Sequence, residues 1–299
     1  MAINLAKIAN ALRPGVREWY GMQPTYNAEY KQIYKTFSSK MAYETDVEYK
    51  PTGMAQIRPE GQPTFVSDIS QRTVTTYTHK TIGLQVVFTR QALINNLYKD
   101  QFPHTMEELR DSINTTEETL AVNPLNAGFT TYTISDGQTF FSTAHPIDGG
   151  TVANRPTVGT DLTEGTLEAA IIAIRMFKDP AGNLRQYKPK ALIVPSQLDY
   201  TATRLLKSQY RAETNTNAIN AIYHSSSIPE GHKVNHFLTS ASAWFILTDA
   251  TSGMKHFVRE PFETDVYADF DTQNIKMSAI KTLSFGVSNW RAMYGNPGA

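Results

Sequence analysis

The sequence predicts a mixed α+β protein. Stretches with apolar residues at alternate positions are interleaved with stretches in which apolar residues recur every three or four positions, the patterns of strands and helices. Apolar residues make up 40% of the chain and charged residues 19%, as in an ordinary folded domain. At 299 residues, the chain can bury one large core or two modest ones. No internal repeat or low-complexity segment is visible.

The charge balance and the cysteine count narrow the possible functions. Lys plus Arg and Asp plus Glu each total 28, so the formal net charge is zero. Proteins that wrap nucleic acid carry a basic excess, whereas near-zero charge favours self-association. Without cysteine, disulfides, thiolate nucleophiles and Cys-ligated zinc are excluded. Met1–Lys7 lacks a secretory signal core, and no apolar run could span a bilayer, so we expect a soluble protein made in the cytoplasm.

The first fifty residues contain no core of their own. Their aromatic and Met residues recur at steps of three or four and predict one stripe of an amphipathic helix: Tyr26, Tyr30, Tyr34, Phe37 and Met41. The stripe can pack on its own domain, or it can form an arm that lies on a neighbouring subunit. Basic residues outnumber acidic ones here, so the opposite face is either solvated or directed toward nucleic acid.

Residues 46–88 predict a β-hairpin that cannot bury a face within its own subunit. Val74, Thr76 and Thr78 alternate as in a strand, and 58–63 has the Pro and Gly content of a turn. The flanking strands are polar on both sides. Because an isolated two-stranded hairpin is marginal in water, we expect this hairpin to lean on another chain.

The strongest helix signal follows Pro103. Thr105–Glu108 has the sequence of a capping box, which predicts a helix start. Apolar residues then mark one face of the helix, and Pro124 is expected to kink or end it. Further elements are predicted as helices at 163–177 and after Pro195, short strands at 191–194 and 243–248, and long strands at 256–268 and 274–288 joined by a turn.

No motif of catalytic or metal chemistry stands out. The phosphate-binding, dinucleotide-binding and nucleophile-elbow motifs are missing. His232 and His236 have a zinc-like i,i+4 spacing, but their segment is typical of a turn entering a strand. Asp136, Asp148, Ser142 and His145 could supply a hydrolase triad, although the Ser142–His145 segment is too short to place one. The residues Asp265, Asp269 and Asp271 are better explained by a turn. We therefore predict no catalytic residue, cofactor or metal site.

The segment Leu125–Phe129, followed by Asp136–Phe141 and His145–Pro146, resembles the major capsid proteins of tailed bacteriophages. The similarity is to Mu-type head subunits with the Hong Kong 97-type fold. Further segments match in the same order, and the shared order is the specific feature: Glu60–Gly61, Lys80–Arg90, Leu192–Pro195 and Phe285–Arg291. The resemblance covers about residues 45–299.

The resemblance implies an α+β capsid fold with an N-terminal arm, an extended E-loop hairpin, a peripheral domain with a long spine helix, and an axial domain. The implied boundaries are 1–45 for the N-arm, 46–82 for the E-loop, 83–159 for the peripheral domain with the spine helix and P-loop, 160–255 for the axial domain, and 256–299 for return strands of the peripheral domain.

The implied function is structural. Copies would form pentamers and hexamers of an icosahedral shell around double-stranded DNA, which they contact non-specifically. Portal, scaffold and decoration proteins would be partners, with assembly in the host cytoplasm, a place in the virion and no membrane contact. The candidate contacts between subunits are the charged residues Arg58, Glu60, Arg72 and Lys80 and the aromatic residues Tyr30, Tyr34 and Phe37.

Three alternatives stay open on the sequence. An encapsulin-like compartment resembles the same fold but holds cargo enzymes. A hydrolase using the loop from Asp136 to His145 would be a different class of protein, and a tail-tube subunit would be another virion component.

Overall fold

Strands and helices alternate along the chain, as the two apolar periodicities predict. The computed structural model describes residues 27–67, 69–94, 98–211, 218–250 and 253–299. Residues 1–26, which hold Tyr26 and much of the predicted N-arm, lie outside the described residues. The α-helices are α1 Arg90–Ile94, α2 Tyr98–Asn126, α3 Glu164–Arg175, α4 Asp199–Lys207 and α5 Ala221–Ser225.

The strands fall into two four-stranded sheets and two hairpins within the described residues. Their bounds are β1 Lys35–Ser38, β2 Tyr43–Tyr49, β3 Gln71–Thr78, β4 Lys80–Phe88, β5 His145–Ile147, β6 Gly150–Val152, β7 Pro189–Val194, β8 His232–Val234, β9 Trp244–Thr248, β10 Met254–Ala268, β11 Ile275–Val287 and β12 Met293–Asn296. One sheet has the order β1-β10-β11-β4 and the other β12-β9-β7-β8, with β2-β3 and β5-β6 as separate pairs.

The first sheet is built around the long antiparallel pair of β10 and β11. Met277 and Ala279 alternate with polar residues on β11, so one face of the sheet is apolar and buried. Helix α2 covers that face with Leu109 and Ile113, which join the core formed by Ile275 and its neighbours. The two strands and the turn predicted for this region are confirmed.

Helix α2 is longer than the capping box predicted. It begins at Tyr98, seven residues before Thr105, and it continues through Pro124 to Asn126. The predicted start at Thr105 is therefore wrong. A capping box can satisfy free N–H groups at a helix start, but it does not prevent upstream residues from extending the helix.

The second sheet lies in the larger core. Residues 191–194 of β7 and all of β9 are buried, as expected for short, mainly apolar strands. Helix α3 packs Leu167, Ile171 and Ile174 into this core. Thr163 caps α3 by accepting a hydrogen bond from the Thr166 backbone N–H. The predicted helices at 163–177 and after Pro195 are confirmed with small differences in their ends.

The amphipathic helix predicted near the N-terminus is wrong. Its described part forms a 3-10 turn at Glu29–Gln32 and then strand β1, which pairs in parallel with β10. The Glu118 carboxylate accepts hydrogen bonds from the backbone N–H groups of Glu29 and Tyr30, at 2.7 and 3.2 Å. Tertiary contacts of this kind override a local helical periodicity, because short helices are marginal on their own.

Gly286 on β11 makes room for the ring of Tyr77. A Cβ at position 286 would lie 2.6 Å from that ring, whose centroid is 4.9 Å from the Phe257 ring centroid. We expect Gly286→Ala to lower the free energy of unfolding by about 1–3 kcal/mol, because the ring cannot retreat without losing its packing. Gly165→Ala, in open space at the start of α3, is the matched control and should leave stability unchanged or slightly raised. Urea unfolding measures both variants, and equal effects would contradict the packing explanation.

His256 is a buried, neutral histidine in the same region. Its ring stacks on Phe285 with a centroid distance of 4.3 Å. Burial, then the charges of Lys281 and Lys31, lower the pKa of His256 to about 3. The Glu117 carboxylate is 3.7 Å from His256 Nε2, but it is bonded at 2.6 Å to Lys281, whose own charge opposes the imidazolium.

The buried His256 predicts a loss of stability in acid. An unfolded histidine has a pKa of about 6.5, so the unfolded chain binds the extra proton between about pH 6.5 and pH 3. The contribution of His256 is complete above that window. As the pH falls through the window, the free energy of unfolding should decrease by up to about 1.4 kcal/mol per pH unit. Urea unfolding of His256→Phe from pH 7.5 to pH 4.5 should show a smaller slope than the native chain. The exposed His224→Gln should keep the native slope, and identical slopes in all three proteins would be inconsistent with a neutral buried His256.

Candidate assembly surface

The β2–β3 hairpin is a two-stranded ribbon that carries a long irregular loop. The strands pair antiparallel from Tyr43 opposite Thr78 to Tyr49 opposite Gln71. The Lys50 backbone N–H donates to the Ser70 carbonyl and closes the base of the loop at 2.8 Å. Prolines and glycines between these points prevent the strands from continuing, since proline lacks the donor that a ladder requires. The hairpin predicted from the sequence is confirmed, but the expectation that it buries no face within its own subunit is wrong for its base, where Tyr77 is 3% exposed and packs on Phe257.

The loop exposes large apolar side chains. Ile57 is 95% exposed and Val66 is 93% exposed, and the other members of this set are also exposed: Met54, Phe65 and Ile69. Monomeric soluble proteins rarely leave large contiguous apolar patches in water, and such patches mark interaction sites. The loop 51–70 is therefore the strongest candidate for a surface that a partner covers. The sequence pattern drew attention to charged loop residues and missed these apolar ones.

The base of the hairpin lies against its own subunit through charged contacts. Three ion pairs connect it to the body: Asp46–Lys255 at 2.5 Å, Glu48–Arg291 at 3.3 Å and Lys50–Asp148 at 2.6 Å. Burial alone would raise the pKa of Asp46, but hydrogen bonds from Lys255 and Ser288 and the Lys255 charge hold the pKa of Asp46 below its ordinary value. The Lys50 ammonium likewise lowers the pKa of Asp148. Both carboxylates are ionised at neutral pH.

The predicted contact residues fall into two groups. Arg58, Glu60 and Lys80 are exposed, and Arg58 donates to the Gln62 carbonyl within the loop. Arg72 instead donates to the carbonyls of its own subunit at Pro146 and Pro180. It therefore fastens β3 to the body.

The aromatic candidates near the N-terminus are mostly internal. Tyr30 and Tyr34 are 4% and 5% exposed and belong to the core of their own subunit. The Tyr34 hydroxyl donates to the Ala121 carbonyl at 2.6 Å, which ties this segment to α2. Both tyrosines are removed from the set of contact candidates for this reason. Phe37 is half-buried and stacks on Phe257, with part of its ring at the surface.

The residues considered for a hydrolase triad are not arranged as one. His145 is buried, and its Nδ1 lies 2.6 Å from Asp136 Oδ2. Its Nε2 faces the side-chain oxygen of Asn154 at 3.1 Å, whereas Ser142 Oγ bonds to Gln138 at 3.4 Å. A triad needs the imidazole bonded to the nucleophile. The cluster instead braces a loop, and the His145 ring stacks on Trp290 with centroids 4.6 Å apart.

The residues considered for metal binding do not converge. His232 Nε2 lies 2.8 Å from Asp199, and His236 Nδ1 lies 2.5 Å from Glu29. Asp269 pairs with Lys276 at 2.7 Å in the turn between β10 and β11. In the part of the chain that the structure describes, no group of three His, Asp or Glu residues could hold a metal ion. Over the same residues, no helix has the length and apolar character of a membrane span.

The comparisons with known proteins agree on one kind of fold. The structure is similar to the capsid of Myoviridae phage XM1, with a TM-score of 0.53, 12% identity and coverage of 93% of this chain and 94% of that chain. It is similar to a decorated capsid of bacteriophage JBD30, with a TM-score of 0.55, 16% identity and coverage of 80% and 100%. It is also similar to a virus-like particle from Pyrococcus furiosus, with a TM-score of 0.52, 11% identity and coverage of 97% of both chains. No curated protein matches the chain.

The fold is therefore that of a virus-shell subunit, which confirms the predicted fold class. A sequence model of the family described as phage capsid protein matches residues 72–296, which is most of the chain. The chain belongs to the phage capsid protein family, and its function is that of a phage capsid protein.

Proposed function

We propose that this chain is the major head subunit of its phage and that copies close into an icosahedral shell of pentamers and hexamers around viral DNA. The observation that supports this most is the apolar loop 51–70, which its own subunit leaves uncovered. A neighbouring copy would cover it. Each contact is modest, and the sum over many neighbours stabilises the shell.

The domain boundaries of the proposal follow the implied organisation. In this proposal residues 1–45 are the N-arm, 46–82 the E-loop, 83–159 the peripheral domain with the spine helix and P-loop, 160–255 the axial domain and 256–299 the return strands of the peripheral domain. The hairpin β2–β3 supports the E-loop assignment, and the 29-residue helix α2 supports a spine helix in the peripheral domain.

The proposed partners follow from the same function. Portal, scaffold and decoration proteins join copies of the chain, assembly takes place in the host cytoplasm, and the final location is the virion. The zero net charge gives no support to a dedicated DNA-binding role, so the contact with packaged DNA is proposed to be non-specific. The chain performs no catalysis in this proposal, since the His145 cluster braces a loop and presents no nucleophile.

The contents of the particles test the proposal against a cargo compartment. Particles purified from phage-producing cells should carry double-stranded DNA, detected by nuclease-resistant absorbance at 260 nm and by sequencing. Particles that instead contain a defined enzyme and no protected DNA would contradict the head-protein function. Stacked rings in the same preparation would indicate a tail tube.

The exposed charges of the loop should contribute little to assembly. Replacing Arg58 and Glu60 by Ala removes two charges whose exposed ion pairs with a neighbouring copy would give about 0–1 kcal/mol each. We expect the concentration for half-maximal assembly to rise by less than about tenfold per residue, measured by light scattering. A complete loss of particles in this double variant would show that electrostatic contacts, and not apolar ones, dominate the loop interface.

A further inference from the structure

We propose that Arg291 is a positioning residue and that a ladder of three ion pairs on one face of the hairpin sets the direction in which loop 51–70 leaves the subunit. The inference rests on the proposed function, in which that loop reaches a second copy. It concerns the geometry of the single subunit, so it is tested separately from assembly.

The ladder follows from the period of a strand. Asp46 and Glu48 occupy alternate positions of β2, so their side chains lie on the same face. Lys50 follows just past the strand and its register shift at Glu48–Tyr49, and its ion pair with Asp148 places it on the same side. That face meets three separate parts of the body: the start of β10 at Lys255, the 3-10 turn after β11 at Arg291, and the β5–β6 turn at Asp148. Contacts with three parts fix the orientation of the ribbon more firmly than a single contact would.

Arg291 is held in the body of the subunit by contacts that do not involve the hairpin. Its side chain is 1% exposed, its Nε donates to the Lys178 carbonyl at 2.6 Å, and its guanidinium lies 4.2 Å from the ring centroid of Trp290. Its Nη2 is buried and has no hydrogen-bond partner in the described part of the chain. Glu48 is its one ion-pair partner among the described residues, and displacing Glu48 would leave a buried, uncompensated charge.

The second strand of the hairpin reinforces the same geometry. Thr73 Oγ1 donates to Glu48 Oε2 at 3.1 Å, so the carboxylate that meets Arg291 is held by both strands. Arg72 donates to the Pro180 carbonyl at 3.1 Å and to the Pro146 carbonyl. Beyond Lys50, the loop makes no hydrogen bond or ion pair to the body among the described contacts.

The ladder weakens toward the loop. The Arg291 and Lys255 side chains are 1% and 14% exposed, whereas Lys50 and Asp148 are 43% and 48% exposed. Salt screens exposed pairs much more than buried ones. The outer pair should therefore open with rising ionic strength while the inner pairs hold, and this gives the loop a hinge at Lys50.

Distances between two spin labels test the ladder in the full chain. The protein has no cysteine, so Gln62→Cys at the loop and Gln186→Cys on the body create two unique labelling sites, both at exposed residues. Pulsed electron resonance on labelled chain diluted in unlabelled chain should give one narrow distance distribution. Asp46→Asn with Glu48→Gln should broaden that distribution at least twofold, while Glu263→Gln, an exposed carboxylate elsewhere on β10, should not.

Charge reversal separates positioning from general stability. Asp46→Lys should broaden the distribution, and adding Lys255→Asp should restore it, at an unchanged melting temperature. If the distribution stays narrow without the ladder carboxylates, or if Glu263→Gln broadens it equally, the positioning role of the ladder is overturned. If the variant with Asp46→Asn and Glu48→Gln does not fold, the charge-reversal variants decide. The proposal is then overturned if Lys255→Asp fails to restore the narrow distribution. A chain that fails to assemble would leave this distance result unaffected.

Discussion

Replacing Ile57, Phe65 and Ile69 by Ser should abolish particle formation while the subunit stays folded. All three side chains lie on the exposed loop and contribute nothing to the two cores. Burying one such side chain is worth about 1.5–3 kcal/mol, so the three together can supply several kcal/mol at each contact between copies. A loss of that size weakens association by at least about a thousandfold.

Light scattering and thermal unfolding check this prediction together. The triple variant should show no particles at concentrations where the native chain assembles fully, with a melting temperature within a degree or so of the native subunit. Thr52→Ser, Gln56→Ser and Gln62→Ser change three exposed polar residues of the same loop and serve as the matched control. Normal assembly of the apolar triple variant would mean that the loop surface is not the interface.

Asn154→Ala should be the most destabilising single change in the body. The Asn154 amide is completely buried, accepts from the Ser142 backbone N–H at 2.9 Å and donates to the Phe140 carbonyl at 2.8 Å. It also meets His145 Nε2. Alanine leaves these buried groups without a partner, and each costs about 1–3 kcal/mol, so we expect a loss of about 3–5 kcal/mol in the free energy of unfolding.

Asn114→Ala is the comparison for that effect. Its amide nitrogen is buried on α2 and has no partner in the described part of the chain, so its removal should cost less than about 1 kcal/mol. Urea unfolding of both variants measures the difference. A loss below about 1 kcal/mol in Asn154→Ala would show that the His145 cluster does not brace the loop.

The sequence predicted the elements whose local pattern and tertiary role agree. The strands β7 and β9 are mainly apolar and are buried except at the exposed Lys190 of β7, and α3 lies within the helix predicted at 163–177. The helix predicted from the N-terminal stripe is wrong because Tyr30 contacts α2 and Tyr34 contacts β11, and these contacts determine the conformation of the segment. Periodicity records which residues are apolar, and it does not record which distant strand or carboxylate will hold them.

The assembly surface was predictable only in outline. The polar hairpin and the charges of its loop were visible, but the docking of its base on its own subunit was not. The partner of Glu48 is Arg291, 243 positions along the chain, and no local signal connects them. The two carboxylates Asp46 and Glu48, which alternate on one face of β2, were a signal that could have indicated docking to the body.

The central proposition is that the free loop of the hairpin is completed by another copy of the chain. Electron microscopy of the purified native protein tests it most directly, with light scattering of the same samples to measure particle size at each concentration. We expect closed, hollow, isometric particles of uniform diameter that form above a threshold concentration. A protein that remains a single compact subunit at the highest soluble concentration, with the same loop still exposed, would contradict the proposition.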